Sequence, residues 1–203
     1  MSLTIENLTH EYCKGNRVLD NFSLLVGDGE LVALVGPSGC GKTTLLHCII
    51  GLIAPTSGKV HVEGADISSK KPHERGIGIM MQDQPLYEHL SVEQNIAFPL
   101  RARGQKTPDI SRIIEQLDLP SIAGQKVSTC SGGERRRVAF GRAIVTKPNV
   151  LLLDEPFISL NEELRTAMRV SISQENVSTL LVTHNFEEAS AFCDRVIELE
   201  DAC

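Results

Sequence analysis

Several things are missing from this chain, and each absence narrows its reading. No apolar run in the sequence approaches the ~20 residues that a membrane helix requires. Met1 to Asn7 lacks a basic region followed by an apolar one, so a secretory leader is not expected. The six cysteines (13, 40, 48, 130, 193 and 203) form no CxxC pair and no regular framework. A disulfide scaffold would be denser, so they read as reduced thiols in a cytosolic setting. There is no internal repeat and no low-complexity tract. Nor is there a surplus of positive charge. Twenty Lys and Arg stand against 26 Asp and Glu, a net −6. That disfavours a generic nucleic-acid binder and leaves room for a local basic phosphate site.

What is present is ordinary globular material: 203 residues, 41% hydrophobic and 23% charged. A chain of this length buries roughly 70% of its unfolded surface and needs no staples. Short apolar runs alternate with longer helical patterns. Leu31–Val35, Val150–Leu153 and Thr179–Val182 are unalternated and rich in Val and Leu, as strands covered on both faces would be. After them, Leu45, Leu46, Ile49 and Leu52 share a stripe. Leu160, Leu164, Met168 and Ile172 repeat every four residues, and Phe186, Ala189 and Cys193 recur similarly. This order predicts an α/β domain with a largely parallel sheet. From Tyr87 to Cys130 no buried strand is expected. Thr107 and Pro108 read as a helix start, with Ile110, Ile113, Ile114 and Leu117 as its apolar face. Residues 87–130 are therefore expected as a helical subdomain inserted into a core formed by residues 1–86 and 131–203, all within one domain.

Two motifs carry chemistry. Gly36, Pro37, Ser38, Gly39, Cys40, Gly41, Lys42 and Thr43 match GxxxxGK[ST] between a predicted strand and a predicted helix. Its glycines let backbone N–H groups curl around an oxyanion, and the helix N-terminus adds partial positive charge. Lys42 is the candidate for the β- and γ-phosphates and Thr43 for Mg²⁺, with Thr44 beside it. Val150–Leu153 then delivers Asp154 and Glu155 at a strand's C-terminal end, where ligands sit in such sheets. Asp154 is the candidate Mg²⁺ ligand and Glu155 the group that polarises an attacking water.

Between these motifs lie Cys130, Ser131, Gly132, Gly133, Glu134 and then Arg135–Arg137. With them the chain resembles the nucleotide-binding subunit of an ATP-binding-cassette (ABC) transporter, whose signature is Leu-Ser-Gly-Gly-Gln or Leu-Ser-Gly-Gly-Glu. The resemblance implies a P-loop NTPase core with a small antiparallel N-terminal β part. Tyr12 matches the aromatic that stacks on adenine, with plain packing as its alternative. Gln82 matches the glutamine that senses Mg²⁺ and γ-phosphate, with Gln84 as a rival. His184 matches the histidine that contacts the γ-phosphate. Ser131, Gly132 and Gly133 make a second anion cradle, which the family joins to the P-loop of an opposite subunit in a head-to-tail dimer. Arg135–Arg137 read equally as a solvated face or as a brace for the signature helix.

The stretches Pro72–Gly78 and Leu86–Asn95 resemble importer ATPases for sugars, polyamines, iron, thiamine and sulfate. The resemblance thus implies an ATPase on the cytoplasmic side of the membrane. It would use ATP and Mg²⁺, work with membrane permease subunits and a solute-binding protein, and bind no nucleic acid. A permease helix would dock on residues 84–103, with Tyr87, Leu90, Phe98 and Leu100 as apolar anchors or as internal packing. A soluble ABC ATPase of the cofactor-assembly type and a weakly hydrolysing ATP-binding module are the alternatives. Three departures stand out. Cys130 replaces Leu, either as a filler or, beside a helix N-terminus, as a reactive thiol. Asn161 replaces an Asp after Phe157 and predicts altered communication between ATP sites. The chain ends at Cys203 after the strand-like Arg195–Leu199, leaving a minimal and a shortened subunit both open.

Overall fold

The computed structural model describes residues 2–13, 15–82, 85–157 and 160–199. The chain runs β1 (Leu3–Cys13), β2 (Asn16–Val26), β3 (Leu31–Val35), α1 (Lys42–Ile50), β4 (Ser57–Val62), β5 (Ala65–Asp66) and β6 (Ile77–Met80). It continues through α2 (Val92–Ala102), α3 (Ser111–Gln116), α4 (Gly132–Ile144) and β7 (Val150–Asp154). It closes with α5 (Glu162–Glu175), β8 (Ser178–Thr183), α6 (Phe186–Phe192) and β9 (Arg195–Glu198).

The unalternated runs become the middle of a five-stranded sheet, in the order β6-β7-β8-β3-β9. All its pairings are parallel. Every residue of β3, β7 and β8 is buried, and their side chains divide by parity. Leu31, Ala33, Leu151, Leu153 and Leu181 face a cluster completed by α2 to α6. Val32, Leu34, Val150, Leu152, Leu180 and Val182 face α1 and a second, antiparallel sheet. Each fully buried Leu contributes about 1.5–3 kcal/mol, so these strands are held from both faces. The second sheet, in the order β2-β1-β4-β5, supplies Leu3, Ile5, Leu8, Leu19, Val60 and Val62 to that cluster.

Parallel strands end on one edge, and that edge assembles the site. Val35 pairs with Thr183, Val182 with Asp154 and Leu153 with Met80. The segments that follow β3, β8, β7 and β6 therefore leave the sheet side by side.

Residues 87–130 hold α2, α3 and 3-10 turns at Pro120–Ile122 and Val127–Thr129. Their one β interaction is an isolated bridge from Ser91 to Lys126. Helix α3 begins at Ser111, so Thr107 and Pro108 precede it. The start is set by Asp109, whose Oδ1 accepts the Ser111 N–H at 3.0 Å. Two residues expected on apolar stripes are exposed, Leu52 and Phe186. Leu52 lies beyond Gly51, whose left-handed backbone ends α1. Phe186 is the first residue of α6, whose buried positions are Ala189 and Phe192.

Candidate nucleotide site

The P-loop joins β3 to α1. Gly41 caps α1 at φ 95°, and a Cβ there would stand 2.8 Å from the Val18 carbonyl oxygen. Only glycine fits both demands. The first turn of α1 carries no acidic residue, so the positive end of its dipole is not offset locally. Lys42 is buried, and its Nζ donates to the carbonyls of Gly36 (2.7 Å) and Pro37 (2.8 Å), with Cys40 Sγ at 3.8 Å. The ammonium is thereby folded across the loop. Pro37, Ser38, Gly39 and Thr43 face solvent. Tyr12 leaves half its surface exposed, and its hydroxyl lies 3.0 Å from Thr44 Oγ1. Its ring also meets His10 edge to face at 4.7 Å. Tyr12 is therefore tied to the start of the P-loop helix and is not core packing.

Asp154 ends β7, almost fully buried, and its carboxylate accepts the backbone N–H of Gln82. Burial, then the charge of Glu155, raises its pKa, while His47 and Lys42 pull it back. A buried carboxylate with its charge incompletely offset suits a cation, and the Thr43 hydroxyl offers a neutral oxygen. One carboxylate, one hydroxyl and substrate phosphates make an ordinary Mg²⁺ donor set. Among the described residues no group of three or more His, Cys, Asp or Glu could hold a metal alone.

Glu155 adopts φ 48°, left-handed for a non-glycine residue. Four bonds hold it. Its N–H donates to the Val182 carbonyl at 2.9 Å. Its Oε2 accepts Thr183 Oγ1 at 2.9 Å, and its Oε1 lies 2.7 Å from His184 Nδ1. Its carbonyl accepts Arg136 Nη1 at 2.9 Å. The carboxylate itself is nearly buried, whereas the His184 side chain is 62% exposed. Sequence reasoning assigned Glu155 and His184 separately and missed their bond, along with Thr183. Only the adjacency of β7 and β8 signals that pairing. Gln84, the rival to Gln82, lies outside the described residues.

Ser131 caps α4. Its Oγ accepts the Glu134 N–H, and Glu134 Oε2 accepts from the Ser131 N–H (2.7 Å) and hydroxyl (2.8 Å). The N–H groups of Gly132 and Gly133 are first-turn donors without intrahelical partners. Of the two readings of Cys130, its packing favours the filler. Its thiol is half-buried against the core, 3.7 Å from the Lys126 carbonyl. Burial first, then the Glu134 carboxylate, raises its pKa, the opposite of what would activate the thiol. The arginines are tied rather than free. Arg135 bonds Glu88 and the Val127 carbonyl, and Arg137 bonds Asp118.

Beside the signature helix lies a groove of 690 Å³ whose lining includes Pro72, Tyr87, Phe98, Arg103 and Arg142. Tyr87 and Phe98 are exposed and stack at 4.3 Å, while Arg142 sits 5.5 Å over the Tyr87 ring. Leu90 and Leu100 are half-buried, and Leu100 packs on the core. The turn carrying Tyr87 is held by a fully buried residue that sequence reasoning did not single out. Asn95 accepts the Tyr87 N–H at 2.8 Å and donates to the carbonyls of Tyr87 and Ser91.

Comparison with known proteins places these features in one family. The chain is 42% identical over 206 aligned positions to an sn-glycerol-3-phosphate import ATP-binding protein of Psychromonas ingrahamii, covering 98% of this chain and 55% of that protein. It is 39% identical over 203 positions to a trehalose import ATP-binding protein of Mycobacterium tuberculosis, covering 96% of this chain and 52% of that protein. The chain thus spans about half the length of these curated relatives. A solved dimeric structure of a bacterial ABC transporter cassette superposes with a TM-score of 0.86 at 27% identity, covering 98% of this chain and 94% of that one. Residues 19–158 match the ABC transporter family, and the chain belongs to that family.

Proposed function

We propose that the chain is the ATP-binding and ATP-hydrolysing part of an ABC importer, working as a head-to-tail pair on the cytoplasmic side of the membrane beneath separate permease subunits. The observation that carries the hydrolytic reading is the Glu155 carboxylate, fixed between Thr183 and His184 on the same sheet edge as the P-loop. The import reading is supported by the relatives' names, which are those of import ATP-binding proteins. Among the described residues no helix is long and apolar enough to cross a membrane.

The geometry supports the following division of labour. Tyr12 offers an exposed ring for the adenine. Residues 36–44 offer backbone N–H groups and the Lys42 ammonium for the phosphates. Thr43 and Asp154 would hold Mg²⁺, with Gln82, whose backbone N–H bonds the Asp154 carboxylate, beside them; when bound the ion would neutralise phosphate charge. Glu155 orients the attacking water and accepts its proton, a role worth typically 10²–10⁴-fold. His184, its Nδ1 engaged by Glu155, keeps Nε2 for the γ-phosphate. Ser131, Gly132 and Gly133 form the cradle that each chain lends to its partner's nucleotide. The Tyr87–Phe98 groove would receive an apolar-faced cytoplasmic helix of the permease.

Glu155→Gln tests the reading. The variant keeps the shape and loses the base. It is expected to bind ATP as wild type does, to accumulate as a long-lived dimer in size-exclusion chromatography, and to lose at least ~100-fold in kcat. Turnover at the wild-type rate would remove Glu155 from the assigned role.

A further inference from the structure

We propose that Arg136 is a positioning residue for Glu155, fixing the catalytic carboxylate from the signature helix. The inference rests on the reading that Glu155 activates water.

The four bonds on Glu155 divide unequally. Its N–H and both carboxylate oxygens bond within residues 182–184, at the end of the neighbouring strand. Its carbonyl alone turns the other way, to Arg136 on α4. That carbonyl belongs to the peptide joining Glu155 to Pro156. Proline has no N–H, so the peptide unit has a single hydrogen-bonding group, and Arg136 holds it. The residue at this pivot also has a left-handed backbone, a conformation that persists only where surroundings enforce it. Without the guanidinium the Glu155–Pro156 carbonyl loses this partner, and the carboxylate is held from residues 182–184 alone, so its placement loosens.

The helix that holds this peptide is itself well anchored. α4 is capped by the Ser131–Glu134 box at its start. Arg135 and Arg137, on either side of Arg136, bond Glu88 and Asp118. The same helix therefore carries the Ser131 cradle at its N-terminus and the Glu155 brace one turn later. The position of the carboxylate is referred to that cradle and not to β8 alone.

Arg136→Met, Arg136→Gln and Arg136→Lys test this in the full chain, each assayed for ATPase kinetics, thermal midpoint and binding of a fluorescent ATP analogue. Arg136→Met is expected to lose about 10–100-fold in kcat, the scale of a small misplacement of a reacting group. KM, analogue affinity and thermal midpoint should stay close to wild type. Arg136→Lys, which keeps a donor, is expected to recover most of the rate, and Arg136→Gln to fall between. An unchanged kcat in Arg136→Met overturns the inference, and so does a parallel loss of kcat, binding and thermal midpoint in all three variants. Wild type and Glu155→Gln run alongside. If wild type does not hydrolyse ATP, or Glu155→Gln turns over normally, the reading of Glu155 fails and takes this inference with it. If wild type is active, Glu155→Gln inert and Arg136→Met unimpaired, only this inference fails.

Discussion

Asp154 is a buried carboxylate whose charge its surroundings disfavour. Its folded pKa is raised, first by burial and then by Glu155. For a carboxylate with a raised folded pKa, ionisation costs stability. The cost is present above the folded pKa and disappears as pH falls through it toward the unfolded value. Asp154→Asn removes the charge and keeps an oxygen for the Gln82 N–H. It is expected to raise the nucleotide-free melting midpoint at pH 7.5 by about 2–4 °C, the effect of ~1 kcal/mol in a chain of this size. The gain should shrink toward zero as the pH is lowered into the ordinary carboxylate range. The same variant should lose the stabilisation that Mg²⁺ with ATP gives wild type. Calorimetry across pH, with and without Mg²⁺ and ATP, reads both effects. At Asn161 the side chain accepts the Leu164 N–H at 3.1 Å and caps α5. Asp caps as well as Asn, so Asn161→Asp should keep stability within ~0.5 kcal/mol, whereas Asn161→Ala loses about 1 kcal/mol in urea denaturation. Residue types in their local motifs pointed to Lys42, Asp154 and Glu155, and the family resemblance added Ser131. Arg136 was read with its neighbours as a solvated face or a helix brace, and its bond to Glu155, like the roles of Thr183 and Asn95, was not legible because each acts on a residue distant in sequence.

The P-loop helix α1 is the element on which the phosphate site depends, and both of its ends are specified by glycine. Gly51 ends it at φ 81° and donates its N–H to the Cys48 carbonyl. The last carbonyls of the helix are satisfied from outside. Arg75, buried before β6, donates to the carbonyls of Cys48 (3.1 Å) and Ile49 (2.7 Å), and also to Lys70 and Ser68. Burial lowers the pKa of this guanidinium, so it is held desolvated among carbonyl oxygens. A Cβ on Gly51 would stand 2.5 Å from that guanidinium. Gly51→Ala therefore meets both a disfavoured backbone and a collision. It is expected to cost at least ~1–2 kcal/mol, more than alanine at an exposed helix end. Arg75→Met, which leaves buried carbonyls unpartnered, is expected to cost about 2–4 kcal/mol. Chemical denaturation of the two variants checks both figures. This arrangement was half legible. The P-loop and its helix follow from sequence. The cap from Arg75 does not, since nothing in the spacing of residues 48 and 75 brings them together. The same limit explains the start of α3. Pro108 satisfies the rule for a first helical residue, but Asp109 turns the chain and delays the helix to Ser111.

At the scale of the molecule the chain carries two candidate anion cradles. One is the P-loop at the end of β3. The other is the start of α4, where Ser131 and Gly132 are exposed. Among the described residues no hydrogen bond joins residues 36–44 to residues 131–133. The central sheet that carries the P-loop is buried on both faces. The proposed head-to-tail pairing would bring one chain's P-loop to its partner's signature helix, and a solved cassette similar to this chain is dimeric. In the proposed pair ATP would lie between surfaces that each supply part of its donors, and affinity between the chains would then depend on nucleotide. The consequence is kinetic. Specific ATPase activity should fall as the protein is diluted, because the active species is second order in chain. At saturating Mg²⁺ and ATP, tenfold dilution below the dimer dissociation constant should reduce specific activity by up to ~10-fold, by mass action. Glu155→Gln, which stabilises the dimer by failing to hydrolyse, should sediment as a pair at concentrations where wild type does not. Ser131→Arg, which fills the exposed cradle, should abolish the concentration dependence together with the activity while leaving analogue binding to the P-loop intact. A specific activity constant over three decades of dilution, from particles that sediment as single chains throughout, would mean that one chain completes its own site.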